Sequence, residues 1–212
     1  MVEIIRISST NPDPSALEHA AAIITRGGII AYPTETFYGL GTDGENEASV
    51  EKLFAIKGRD FNKPIPLIIS GRNHVTKLAA AVPESAERLM DRFWPGGLTL
   101  LFEALPYLST RLTGGTGKIG IRLSSNVIAT GLAVLLGGAL TATSANLSGQ
   151  EECVSADEVM DKLGSKINAI IDGGTTPGKK GSTIVDITTD PPIMIREGII
   201  LFSLILDALG ES

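Results

Sequence analysis

The chain has 212 residues, 43% of them hydrophobic and 20% charged, with a formal net charge of −6. That balance predicts one folded domain and excludes both a disordered chain and a surface coated in phosphate-binding lysines. The lone Cys153 excludes a disulfide framework or a multi-cysteine metal site, and two histidines, His19 and His74, are too few for a zinc centre. The apolar run AVLLGGALTA is short and broken by Gly137 and Gly138, so no membrane span is expected. MVEIIRISST lacks the basic-then-apolar layout of a secretion signal, which predicts a cytoplasmic protein.

In chain order, VEIIRI (2–7) reads as a strand, and a proline-containing polar run leads into a helix over 14–26. Its apolar Leu17, Ala20, Ala21 and Ile24 fall on one helical face, and Gly27 and Gly28 end it. IIAY (29–32) is a buried strand, EASVEKLFAI (47–56) a helix, IPLIIS (65–70) a strand and VPESAERLMDRFW (82–94) a helix stopped by Pro95-Gly96-Gly97. Further strands are expected at 98–104, 118–123, 139–143, 167–172, 182–187 and 192–197, with helices over 126–136, 155–163 and 202–209. The expected architecture is α/β (α+β): a mixed sheet of about seven strands flanked by helices in a single domain spanning 1–212, its core about 13–200. The links 104–118 and 173–182 are long enough for hairpins or active-site loops.

Two glycine motifs are misleading. Gly39, Gly41 and Gly44 spell G-x-G-x-x-G, but six residues, Pro33 to Tyr38, separate them from the preceding strand. A dinucleotide site needs its first glycine directly after the strand. The glycines therefore read as a tight loop against the core, and the polar Thr34, Glu35, Thr36 and Tyr38 before them carry the functional signal. GGTGKIG (114–120) fails as a phosphate loop, because Leu112 and Ile119 stand where a glycine and a hydroxyl belong. Ser144, in the small-residue turn TATSANLSG (141–149), has no histidine motif to make it a nucleophile.

What remains is a set of hydroxyls (Thr34, Thr36, Ser144, Ser182, Thr183) and cations (Lys57, Arg59, Lys63, Arg122, Arg196) beside glycine-rich breaks. Such groups orient carboxylates and phosphates but offer little covalent chemistry. Phosphoryl and nucleotidyl transfer, which run on positioning and charge stabilisation, fit that collection.

Read together, GGIIAYPTETFYGLG (27–41), KGRDFNKPIPLII (57–69), FWPGGLTL (93–100), KIGIRL (118–123), TATSANLSG (141–149), GSTIVD (181–186) and IREG (195–198) resemble the YrdC-type threonylcarbamoyl-AMP synthase family. The resemblance implies a twisted mixed sheet around a basic concave cavity. It also implies synthesis of threonylcarbamoyl-AMP and pyrophosphate from L-threonine, bicarbonate and ATP with Mg²⁺. A separate transferase then passes the group to tRNA. By the same resemblance Thr36, Arg122 and Ser182 bind L-threonine. Arg59, Lys63, Lys118, Ala142, Ser144, Asn146 and Arg196 hold ATP, and Lys57 with Arg59 supplies charge stabilisation. Ile68 stands where some members have histidine and Lys63 where some have asparagine. A single-domain member is expected, without the further C-terminal domain of longer relatives. The competing reading is a YrdC-like RNA-binding module or a paralogue without synthase activity.

Overall fold

The computed structural model describes residues 2–210. Its strands are β1 (Glu3–Arg6), β2 (Ile30–Pro33), β3 (Tyr38–Gly41), β4 (Leu67–Ile69), β5 (Leu98–Glu103), β6 (Lys118–Arg122), β7 (Ala139–Thr141), β8 (Thr143–Ser144), β9 (Ala169–Asp172), β10 (Thr183–Asp186) and β11 (Ile193–Arg196). The α-helices are α1 (Pro14–Thr25), α2 (Glu47–Lys57), α3 (Glu84–Phe93), α4 (Thr110–Thr113), α5 (Val127–Leu135), α6 (Ala156–Leu163) and α7 (Phe202–Leu209).

The strands form two mixed sheets, not the single seven-stranded sheet expected. One has five strands in the order β1-β9-β2-β3-β8, the other six in the order β11-β10-β5-β6-β4-β7. The division falls at Ala142. Strand β7 pairs with β4 in the larger sheet, while β8 pairs with β3 in the smaller one. Ala142 N, between them, donates to the Pro66 carbonyl at 2.8 Å. A strand candidate over 139–143 is therefore two strands that belong to different sheets.

Alternating side chains sort the core into two layers. Ala31, Tyr38, Leu40, Leu67 and Ile69 face a core shared by both sheets and by α2, α3, α6 and α7. Their neighbours Ile30, Tyr32, Ile68 and Leu140 face outward beneath α1 and α5. The face of α1 expected from its periodicity, Leu17, Ala20, Ala21 and Ile24, is the face it buries. Asp13 starts that helix by accepting from Ser15 N at 3.0 Å, with Pro14 in the first turn.

Helix α2 matters most for the site because of how it ends. Asn46 caps its start, accepting from Ser49 N at 3.1 Å. Gly58 closes it in the left-handed region at φ 57°, and Arg59 N returns to the Phe54 carbonyl at 3.2 Å. This sharp reversal lets Lys57 point inward while Arg59, two residues on, turns to a cleft between the sheets.

Gly39 and Gly41 lie in β3 rather than in a loop. The Tyr32 ring lies across them: a Cβ on Gly41 would sit 2.6 Å from Tyr32 Cε1 and 2.7 Å from Leu140 Cδ1. Their spacing reflects cross-strand packing on an aromatic ring, which disposes of the dinucleotide fingerprint on structural grounds. No helix among the described residues is long and apolar enough to cross a membrane.

Candidate active site

Both sheets contribute to one cleft, with about 790 Å³ of space between its walls counted out to open solvent. The smaller sheet supplies Tyr32, Thr34, Thr36 and Ser144, and the larger supplies Thr99, Arg122, Ile184 and Arg196. Tyr38, Arg59, Ala142 and Ser182 complete the set of residues expected from the sequence that reach it. Lys57, Lys63, Lys118 and Asn146 do not line it.

At one end, the four-residue turn between β2 and β3 presents two buried threonines. Thr34 Oγ1 donates to the Phe37 carbonyl at 2.8 Å and lies 3.0 Å from Thr36 Oγ1. A hydroxyl has one proton. Because Thr34 has committed its own to Phe37, Thr36 is the donor between the two, and its lone pairs remain for a ligand donor. Arg122, 6% exposed, projects into the same region from β6. Its Nε makes no hydrogen bond, and among the described residues no acceptor engages the rest of its guanidinium. The nearest counter-charge is Glu35, whose Oε1 lies 3.7 Å from Arg122 Nε.

Towards Arg59 and Arg196 the pattern reverses. Arg59 donates from Nε to the Lys63 carbonyl at 3.1 Å and from Nη2 to the Pro64 carbonyl at 2.9 Å. Arg196 donates from Nε and Nη2 to the Ser182 carbonyl at 3.1 and 2.8 Å, and from Nη2 to Ser182 Oγ at 3.2 Å. Neutral carbonyls fix the direction of each guanidinium without cancelling its charge. Burial lowers the Arg196 pKa, Glu152 opposes this and Arg122 adds to it, so these three groups share one field. Lys63 contributes a backbone carbonyl to Arg59 rather than its ammonium.

Lys57 is 2% exposed and lies behind the cleft wall. Its ammonium donates to the Ser144 carbonyl, to the Asn146 carbonyl at 2.9 Å and to Asn146 Oδ1 at 3.1 Å. Ser144 Oγ also donates to Asn146 Oδ1, at 2.6 Å. All three ammonium protons are used, so Lys57 fastens the Ser144–Asn146 turn from within. Burial, helped by the Arg59 charge, lowers its pKa from 10.5 to about 8. The Ser144 proton is committed to an amide oxygen, which cannot act as a base, so the turn is not built for nucleophilic attack. Lys118 is neutralised by Asp186 at 2.8 Å. Burial works to raise the Asp186 carboxyl, but hydrogen bonds from Lys118 and Thr188 outweigh it and hold the group below its ordinary value.

Sequence reasoning singled out Glu35 without a specific role and missed Ser124 and Glu152. Glu35 stood inside the singled-out T-E-T stretch, where an acid between buried hydroxyls is a usable signal. Ser124 and Glu152 carry no comparable local mark.

The sequence profile of the Sua5/YciO/YrdC family, described as telomere recombination, matches residues 22–198. The chain belongs to this family. It is 38% identical over 192 residues to the threonylcarbamoyl-AMP synthase of Pyrococcus abyssi, covering 91% of this chain and 56% of that relative. The chain thus spans little more than half the length of that curated relative. Pyrococcus abyssi Sua5 in complex with L-threonine superposes with a TM-score of 0.94 at 36% identity, over 98% of this chain and 61% of that one. Escherichia coli YciO matches with a TM-score of 0.86 at 31% identity, over 94% of this chain and 97% of that one. The mixed two-sheet α/β fold is thus the fold of this family.

Proposed function

We propose that the cleft makes threonylcarbamoyl-AMP and pyrophosphate from L-threonine, bicarbonate and ATP, for threonylcarbamoyladenosine modification of tRNA through a separate transferase. The observation that carries this reading is the buried, unengaged guanidinium of Arg122 in the same cleft as the acceptor hydroxyl of Thr36. A planar guanidinium fork matches a carboxylate through two parallel hydrogen bonds, and a hydroxyl with free lone pairs accepts from an ammonium. Together they fit the two charged ends of an amino acid. Family relatives that bear the synthase name, and a neighbour that binds L-threonine, support the same assignment.

In this reading Arg59 and Arg196 take the phosphates, and the Ser144–Asn146 turn, held by Lys57, borders the nucleotide. The bound threonine ammonium first loses a proton to solvent; the amine then attacks the bicarbonate carbon and water leaves, giving a carbamate. A carbamate oxygen then attacks the α-phosphorus, and the bond to the pyrophosphate bridging oxygen breaks with its electron pair on pyrophosphate. The arginines stabilise that departing charge. Among the described residues no group of three His, Cys, Asp or Glu could hold a metal, and Glu152 is the cleft's carboxylate. Glu152 would hold Mg²⁺ carried in on the triphosphate, and the ion would neutralise phosphate charge.

The test is pyrophosphate release from ATP. Release is expected only when L-threonine and bicarbonate are both present. Release indifferent to either one overturns the synthase reading, and salt-sensitive RNA binding without any release favours an RNA-binding module instead.

A further inference from the structure

A guanidinium taken out of water needs a counter-charge, and Glu35 provides it for Arg122 across 3.7 Å. Carboxylate and guanidinium ordinarily close on one another through two parallel hydrogen bonds. Here they do not: Arg122 Nε and Glu35 Oε1 are both buried and both without a hydrogen-bond partner. The cause lies at the other carboxylate oxygen. Glu35 Oε2 accepts a hydrogen bond from Ser124 Oγ.

Ser124 is itself fixed at the start of α5. Its hydroxyl accepts from Asn126 N at 3.1 Å, and its carbonyl accepts from Thr130 Oγ1 at 2.8 Å. Asn126 in turn caps the helix, its Oδ1 accepting from Ile128 N and Ala129 N at 3.0 and 3.2 Å. Glu35 is therefore tied to a capped helix end.

We propose that Ser124 is a positioning residue that holds Glu35 off Arg122, so that the arginine's charge is balanced while its hydrogen-bonding fork stays open for the ligand carboxylate. The inference rests on the reading that Arg122 receives the carboxylate of L-threonine. Without the Ser124 hydroxyl, Glu35 is free to rotate onto Arg122 and satisfy both orphaned atoms. The internal carboxylate then competes with the external one for the same donors.

Isothermal calorimetry on the whole chain, with L-threonine and ATP titrated separately, tests this. Ser124→Ala is expected to weaken L-threonine about tenfold, the scale of one charge-assisted hydrogen bond, with ATP unchanged. Ser124→Thr, which keeps the hydroxyl, is expected to bind like wild type. The double variant Ser124→Ala/Glu35→Gln is expected to recover affinity over Ser124→Ala, because a neutral amide cannot form the competing ion pair. A purely structural role for Ser124 predicts no such recovery. Wild-type affinity in Ser124→Ala, equal losses for both ligands, or a double variant as weak as the single overturns the inference. Failure of the wild type to bind L-threonine overturns the substrate reading and this inference with it, an outcome distinct from a failure in the variants alone.

Discussion

Two cations are buried at the cleft wall, and they are handled in opposite ways. Lys57 gives all its protons to the Ser144–Asn146 turn, whereas Arg122 has a buried Nε with no hydrogen bond and a carboxylate held just out of reach. Burying a polar group without a partner costs on the order of 1–3 kcal/mol. A cation with every donor used is part of the scaffold. One left unengaged at a cleft is poised for something that arrives. On the proposed function, the difference separates the residue that builds the site from the residue that reads the substrate.

Truncating each cation breaks that comparison in a different direction. Arg122→Ala removes the reader. Its expected effect is the largest, a loss of L-threonine affinity of about 100-fold or more, as for one partner of a desolvated charge pair. ATP affinity should hold, whereas the unfolding midpoint should fall, because the buried Glu35 carboxylate loses its counter-charge. Calorimetry paired with thermal unfolding checks both, and an L-threonine affinity within a few-fold of wild type removes Arg122 from the substrate site. Lys57→Met removes the builder. It relieves the desolvation of a buried charge but removes three hydrogen bonds and leaves the Asn146 carbonyl without a donor, and the net loss of stability is expected at ~2–4 kcal/mol. Urea unfolding measures it. Here ATP binding should weaken with the loss of the turn, and an unaltered stability would mean that the turn does not depend on Lys57.

Much of the fold was legible because periodicity and capping are local. The buried face of α1, the helix over most of α2 and the extent of α7 follow from residues adjacent in the chain. The division into two sheets was not legible, because it depends on what β7 and β8 pair with at long range, and on either side of Ala142 the composition is the same. Strand β3 was hidden by its glycines, which look like a loop until the Tyr32 ring that requires them is known. Within the site, residue type found Thr36, Arg59, Arg122, Ser144, Ser182 and Arg196, all of which line the cleft. It could not distinguish a cation facing the cleft from one already spent. Lys118 is cancelled by Asp186, 68 residues further along the chain, and the protons of Lys57 are taken up by a turn 87 residues away.

The smallest effect expected is also the one that best sharpens the contrast, because Lys57 can be switched by pH without mutation. Burial leaves its folded pKa near about 8 against 10.5. Below the lower value both folded and unfolded chains hold the proton, and stability does not depend on this group's titration. Between the two values the unfolded chain holds the proton and the folded chain has released it, so the Lys57 contribution to stability rises with pH. Wild type should therefore gain on Lys57→Met by roughly 1 kcal/mol between pH 8 and pH 9. Comparing the two proteins in urea removes the common titration of other lysines and tyrosines. Function should move the opposite way. A neutral amine has two protons for the three acceptors that the ammonium served, so one acceptor in the Ser144–Asn146 turn is released. ATP affinity should then fall over the pH range in which stability rises. A Lys57→Met variant with the same pH slope in stability as wild type would place the titration elsewhere and leave Lys57 without its assigned part.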